Sequence, residues 1–266
     1  MAADAYLSKI LTREAVDRSL GSPVWMARQA LMPVLTKWAG QCLQSVSPSG
    51  SFAKGTANRS GTDIDLFISL VPTTPDTLEQ IYETLFAALT VAGYTPRRQN
   101  VSIGVLVGAA DVDLVPAKRQ NLLSQDHSLF RRKANTWTKT NVQMHIAHVL
   151  AHRRMMESRI IKLWRTQWGL DFPSFYVELA VIEALRNSIG VSISENVWAT
   201  FQYLAGNFAA SRFVDPANTN NVISDDLTMA EKNAIKVAAQ RSLQAKTWGR
   251  LCGDIASASD IARSSA

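Results

Sequence analysis

Residues 50 to 65 constrain this chain more than any other stretch. Gly50-Ser51-Phe52-Ala53-Lys54-Gly55-Thr56 reads as a glycine-serine turn, and Asp63-Ile64-Asp65-Leu66-Phe67-Ile68 reads as a strand that opens with two carboxylates. Strand side chains alternate between faces, so Asp63 and Asp65 point the same way. Two like charges on one face are costly unless a cation sits between them. Carboxylates suit Mg²⁺, which is usually held by one or two of them together with substrate phosphates. The turn upstream offers the Gly50 and Ser51 backbone N–H groups and the Ser51 hydroxyl, a phosphate-receiving chemistry. Asp-x-Asp alone is common at solvated strand ends, and Gly-Ser alone is an ordinary turn. Their combination at this spacing reads as a metal–nucleotide site.

A third carboxylate belongs on a neighbouring strand, and the chain provides one. Val101 to Val107 is β-branched and apolar, Gly108-Ala109-Ala110 can turn, and Asp111-Val112-Asp113-Leu114-Val115-Pro116 alternates again. This predicts a hairpin whose second strand ends at Pro116. Asp111 and Asp113 share a face, so spacing alone does not choose between them.

With these residues in view, the chain resembles the polymerase-beta-like nucleotidyltransferase superfamily. Gly50, Ser51, Asp63 and Asp65 match its pattern, and the run Val112-Asp113-Leu114-Val115-Pro116-Ala117 selects Asp113 as the third acid. Ser49 departs from it, since an apolar strand residue usually precedes the glycine. Two further segments narrow the resemblance. Arg159-Ile160-Ile161-Lys162-Leu163-Trp164, followed by Phe172-Pro173-Ser174-Phe175-Tyr176-Val177-Glu178, is similar to the helix pair of oligoadenylate synthases and bacterial cyclic-oligonucleotide synthases. Asp215-Pro216 with Asn220-Asn221-Val222 resembles a run of the same group. The resemblance spans roughly residues 45 to 250. It points to the branch holding cyclic GMP-AMP synthase, oligoadenylate synthase and the bacterial CD-NTases of anti-phage (CBASS) defence.

The fold expected is α+β: a two-lobed nucleotidyltransferase fold with a mixed β-sheet palm and helices, plus a C-terminal helical lobe. Residues 1–141 would carry an N-terminal helix and the catalytic core, 142–256 the helical lobe, and 257–266 a frayed Ser/Ala-rich tail. Ser22-Pro23 opens a helix running to about Val46, with the sheet following from about Ser51. Thr74-Pro75-Asp76 starts another helix that Gly93 ends. Gln120 to Asn141 reads as a basic loop with short structure. One long helix is expected from about Val142 to Trp168, with Ile146, Val149, Met156, Ile160, Leu163 and Trp164 as its apolar stripe. Further helices fit Ser174–Ser188, Glu195–Ala205 and Met229–Arg250. Ser192 with Glu195, and Thr228 with Glu231, have capping-box spacing.

Composition sets the remaining bounds. The chain has 266 residues, 47% of them apolar, enough for a substantial core. No run of 18 apolar residues appears, so no membrane span is expected. The first residues lack a secretion signal. Two cysteines, Cys42 and Cys252, are too few for a disulfide framework and read as buried thiols. A cytoplasmic location is the default. The net charge is +6, and Arg97 to Arg165 holds thirteen Lys/Arg against four Asp/Glu. That field suits triphosphates or nucleic acid. His145, His148 and His152 lie at helical spacing without neighbouring acids or thiols, and read as helix surface or core.

The site residues expected are Asp63, Asp65 and Asp113 as catalytic metal ligands for Mg²⁺ (Mn²⁺ as an alternative), with ions roughly 3.5–4 Å apart in a two-metal site. Ser51 and Gly50 would meet the β/γ-phosphates. Lys162 lies opposite the apolar stripe, where a solvated lysine is the ordinary reading; the resemblance implies a triphosphate ligand. Ser174 opens a helix whose N–H groups and hydroxyl suit a phosphate. Phe175 or Tyr176 would stack on a base, with burial the alternative for at least one of them. Asp215-Pro216 with Asn220-Asn221 reads as a structural turn. The function implied is template-independent nucleotidyl transfer from NTPs (ATP and/or GTP, or a pyrimidine NTP), giving a cyclic di- or trinucleotide. A regulatory protein or a nucleic acid could activate it. Transfer to an RNA 3′ end, a tRNA or a protein is the alternative. A catalytically dead nucleotide-binding module is the third reading, against which the three retained carboxylates argue.

Overall fold

A computed structural model describes residues 2–61, 63–188, 192–245 and 248. The chain opens with helices α1 (Ala2–Arg13) and α2 (Pro23–Ala39). Strand β1 (Leu43–Pro48), the five-residue helix α3 (Gly50–Lys54), β2 (Ile64–Leu70) and α4 (Leu78–Val91) follow. Next come β3 (Arg97–Arg98), β4 (Ile103–Val107), β5 (Ala110–Arg119), β6 (His127–Arg131) and β7 (Thr136–Thr140). The back half holds α5 (Val142–His152), α6 (Met155–Gln167), α7 (Ser174–Ala184), α8 (Ile193–Gly206), the hairpin β8 (Val214–Asp215) and β9 (Asn218–Val222), and α9 (Met229–Leu243). This is the expected mixed sheet with a helical back half.

The main sheet runs β1-β2-β5-β4-β3, and the β6–β7 hairpin attaches to the far end of β5. The pair β2 and β5 is parallel, and its neighbours are antiparallel. Alternation splits β2 cleanly. Leu66, Ile68 and Leu70 join Leu31 and Leu35 of α2 and Ile81 and Leu85 of α4 in one apolar core. Asp65, Phe67 and Ser69 face the opposite side, where Phe67 packs with Ala117 and Leu129. A second core lies among the helices, around Trp164, Tyr176, Phe201 and Phe208. Leu7, Ile10 and Leu11 of α1 belong to this second core, so the first residues of the chain pack with the back-half helices.

Several expectations are corrected. The helix from Pro23 stops at Ala39, and the sheet begins upstream of Ser51, at Leu43. Gly40, at φ 52°, takes a conformation that favours glycine and turns the chain into β1. The helix expected from Thr74 begins at Leu78, capped by Thr77 through a reciprocal box with Gln80. Strand β5 continues through Pro116 to Arg119. On that side β4 pairs only as far as Leu114 and β6 starts at Lys118, so the missing proline N–H falls where no partner strand needs it. The stretch from Gln120 holds the β6–β7 hairpin, where Thr136-Trp137-Thr138-Lys139-Thr140 pairs with β6. The single helix of 142–168 is two helices, broken at Arg153 with φ 54°. Uninterrupted apolar periodicity concealed the break. It re-aims α6, so Met156 of the expected stripe is 53% exposed while Glu157 and Ser158 are buried.

The capping boxes at Ser192/Glu195 and Thr228/Glu231 are present with both reciprocal hydrogen bonds. Cys42 is half-buried at the end of a short 3-10 turn rather than a core thiol within a helix. Cys252, the end of the helix expected to Arg250 and the tail lie outside the described residues. Among the described residues no helix is long and apolar enough to cross a membrane.

Candidate active site

The parallel pairing of β2 with β5 brings Asp65 and Asp113 opposite each other in register. Both side chains leave the sheet on the face away from the α2/α4 core, because the residues that flank them along the strands, Ile64, Leu66, Val112 and Leu114, fill that core. Asp63 sits one residue before β2 and is exposed. Asp111 is drawn off by Arg97, whose Nη2 lies 2.5 Å from its Oδ1. Asp113 instead accepts from Gln99 Nε2 at 2.8 Å. Gln99 is itself fixed: its Oε1 accepts from Ser102 Oγ at 2.5 Å, and its backbone N–H donates to Tyr82 Oη at 3.1 Å. Sequence reading missed Gln99, since no pattern marks a lone glutamine just after a two-residue strand.

Helix α3 meets this pair from the other side. Ser49 N–H donates to the Asp65 carbonyl at 2.8 Å, tying the turn to the strand. Gly50 takes φ 54°, and a Cβ there would stand 1.7 Å from Asp65 Oδ2. Glycine is therefore required twice over, by conformation and by the carboxylate lying against the backbone. Burial, then the charges of Asp113 and Asp63, push the Asp65 carboxyl up to about 6, against a partial offset from Lys54 and Lys162. Burial also raises Asp113, opposed by the Gln99 hydrogen bond. Carboxylates that raise one another in this way suit a cation. Among the described residues no three acid, His or Cys side chains enclose an ion by themselves. The donor set fits Mg²⁺ that completes its shell with water and substrate phosphate.

Beside the Gly50–Ser51 turn lies an open cleft walled by Ser51, Thr56, Asn58, Lys162, Arg165 and Ser174. It gathers three of the residues expected to meet phosphate. Ser174, at the first position of α7, accepts from Arg165 Nη1 at 3.1 Å. Lys162 is 5% exposed rather than solvated. Its Nζ donates to Glu178 Oε1 at 2.6 Å and to Thr56 Oγ1 at 2.9 Å. Burial lowers its ammonium to about 8, an effect that Glu178 partly offsets. Lys54 Nζ approaches the other Glu178 oxygen at 2.6 Å, an ion pair lying off the hydrogen-bonding direction. Lys54 and Glu178 were not singled out from sequence as site residues. Lys54 follows the Gly-Ser turn by three residues, and Glu178 stands in the run from Phe172 with no role assigned to it.

Tyr176 is a correction. Its side chain is fully buried, with ring centroids 5.2, 5.1 and 5.1 Å from those of Phe172, Phe208 and Phe213. It points into the helical core and does not line the cleft. Helix α7 is apolar on nearly every side, so periodicity could not tell which aromatic turns inward. Phe175 is half-buried, 4.6 Å from the His145 ring and under the Lys54 ammonium at 4.7 Å. His145 Nε2 also contacts Asp215 Oδ1 at 2.7 Å. Asp215 further accepts from Ala217 N–H and from Asn221 Nδ2, consistent with the turn read from sequence.

No protein-family model matches the chain. The cyclic AMP-AMP-AMP synthase of Escherichia coli (strain MS 115-1) is 26% identical, over 74% of this chain and 74% of that protein. Among solved structures, E. coli MS115-1 CdnC with ATP superposes with a TM-score of 0.74 at 22% identity, covering 95% of this chain and 97% of that one. CdnC in its HORMA-deltaN complex gives 0.72 at 21% identity, over 95% and 96%. The Bradyrhizobium diazoefficiens CD-NTase CdnG in complex with GTP gives 0.73 at 14% identity, over 92% and 91%. With the Gly-Ser turn and the paired carboxylates, these likenesses show that the chain has the fold of the bacterial CD-NTases and is similar in sequence to a cyclic AMP-AMP-AMP synthase.

Proposed function

We propose that this protein joins NTPs, without a template, into a cyclic di- or trinucleotide with release of pyrophosphate, as a signal in bacterial anti-phage defence. The observation that carries the reading is the register of Asp65 with Asp113 beside the Gly50–Ser51 turn. Likeness to a cyclic AMP-AMP-AMP synthase and to proteins solved with ATP and GTP supports NTPs as substrates.

In this reading the triphosphate lies along the cleft. The Ser51 hydroxyl and the α3 N–H groups meet the β- and γ-phosphates from one wall, and Lys162 and Ser174 from the other. A lysine ammonium at this position also matches the charge that grows on departing pyrophosphate. Asp113 faces the acceptor hydroxyl and is aimed there by Gln99. The hydroxyl oxygen forms its bond to the α-phosphorus as the bond from that phosphorus to the pyrophosphate oxygen breaks. Mg²⁺ (or Mn²⁺), when bound at Asp63, Asp65 and Asp113, supplies the charge neutralisation and hydroxyl activation for this in-line transfer. A final transfer within the linear product, the second for a dinucleotide and the third for a trinucleotide, closes the ring and releases the last pyrophosphate. A regulatory protein partner is part of the proposal, prompted by the solved CdnC complex with HORMA-deltaN.

The test is pyrophosphate release from the four NTPs with Mg²⁺, beside Asp113→Ala and Asp111→Ala chains. Release abolished by the first and retained by the second supports the assignment. The reverse pattern overturns it.

A further inference from the structure

The cleft holds a charge arrangement that phosphate binding alone does not account for. Two ammonium groups, Lys54 from α3 and Lys162 from α6, converge on the single carboxylate of Glu178 in α7. Glu178 is fully buried, and the two lysine side chains are 8% and 6% exposed. The Thr56 hydroxyl completes the group, donating to Glu178 Oε1 and accepting from Lys162 Nζ. A buried ammonium is costly without a counter-charge, and one carboxylate between two ammoniums leaves the group one negative charge short. Lys162 lines the cleft, so the deficit faces the place where a triphosphate would lie.

We infer that Glu178 is a positioning residue of the phosphate cleft, the resident counter-anion that keeps Lys162 charged and aimed, with an incoming triphosphate supplying the charge the group lacks. The inference rests on the functional reading above. The groups acting on Lys162 are Glu178, Lys54 and Arg165, while its own charge is felt by Asp65. Glu178 favours the ammonium, and Lys54 and Arg165 oppose it. The Glu178 carboxyl, which burial would raise, is held below its ordinary range by Lys54 and Lys162, so it remains the anion of the group.

Two substitutions should therefore move Lys162 in opposite directions. Glu178→Gln keeps the shape and removes the anion, so the Lys162 ammonium is lost at lower pH. Lys54→Met removes the competing cation and leaves Glu178 to Lys162, so the ammonium persists to higher pH. The experiment measures binding of ATP, and of inorganic tripolyphosphate as a base-free probe, from pH 7 to 9.5. Over that range the terminal phosphate is largely ionised. Wild type should lose affinity through about pH 8, matching the lowered Lys162 ammonium. The midpoint should fall by about one pH unit in Glu178→Gln and rise by about one in Lys54→Met, with affinity at pH 8 about fivefold weaker in the former. Lys54→Met carries the test if Glu178→Gln does not fold. Binding with one common midpoint in every folded chain overturns the inference and leaves the functional reading standing. A wild-type chain that binds neither probe overturns both.

Discussion

Asp65 and Asp113 face each other in register across the one parallel strand pair of the described sheet, β2 with β5. The paired strands, rather than a loop, therefore set the relation between the two half-buried acids, and rigid elements hold site geometry more tightly than loops do. The pairing carries a cost, because each carboxylate disfavours the charge of the other.

That cost yields a first prediction. Burial and its neighbours raise the Asp65 carboxyl from 3.8 to about 6. Between those values the folded protein binds more protons than the unfolded chain, so Asp65 makes stability fall as pH rises through the window. Above pH 6 the penalty is fully present, up to about 3 kcal/mol before solvent screening reduces it. Asp65→Asn should abolish transfer yet raise Tm by a few degrees at pH 7.5, with the gain shrinking towards pH 4. Thermal unfolding across pH checks the sign.

Gly50→Ala places a Cβ where the Asp65 carboxylate lies and asks alanine for φ 54°. Either the turn or the acid must move. The expected result is a rate loss of 100-fold or more and destabilisation of about 1–3 kcal/mol. Activity and chemical denaturation measure the two parts.

Gln99→Leu removes the donor that orients Asp113 and opposes its raised carboxyl. The kcat should fall about tenfold with the NTP KM little changed, and the acid limb of the kcat profile should move to higher pH. An unmoved limb would show that Gln99 only packs.

Tyr176→Phe tests a residue that sequence placed at the nucleotide and the fold places in the aromatic core. The KM for every NTP should stay within about twofold, with stability within about 1 kcal/mol of wild type. An NTP KM raised several-fold would return Tyr176 to the site.

The parts of this site legible in sequence are those written as short local patterns. Asp63-Ile64-Asp65 after Gly50-Ser51, the alternation through Asp113, and the caps at Ser192 and Thr228 each depend on spacing within a few residues. What was not legible depends on packing between distant segments. Glu178 has no role in the local pattern until α6 and α3 bring Lys162 and Lys54 to it. Tyr176 and Phe175 are neighbours on an all-apolar helix, and only the helices around α7 decide which one turns inward. The break at Arg153 carries neither glycine nor proline, so local chemistry gave no sign of it. Pro116 was misplaced for the converse reason: a sound local rule gave way to a gap between β4 and β6 that only the assembled sheet reveals.

The most direct measurement incubates the purified chain with the four labelled NTPs and Mg²⁺, without nucleic acid, beside an Asp63→Ala/Asp65→Ala chain, and follows phosphatase-treated products by chromatography and mass. The account predicts a phosphatase-resistant oligonucleotide that the altered chain does not make, and its mass gives the ring size and bases. Product that appears only when RNA is added, extended at the RNA 3′ end, would contradict it.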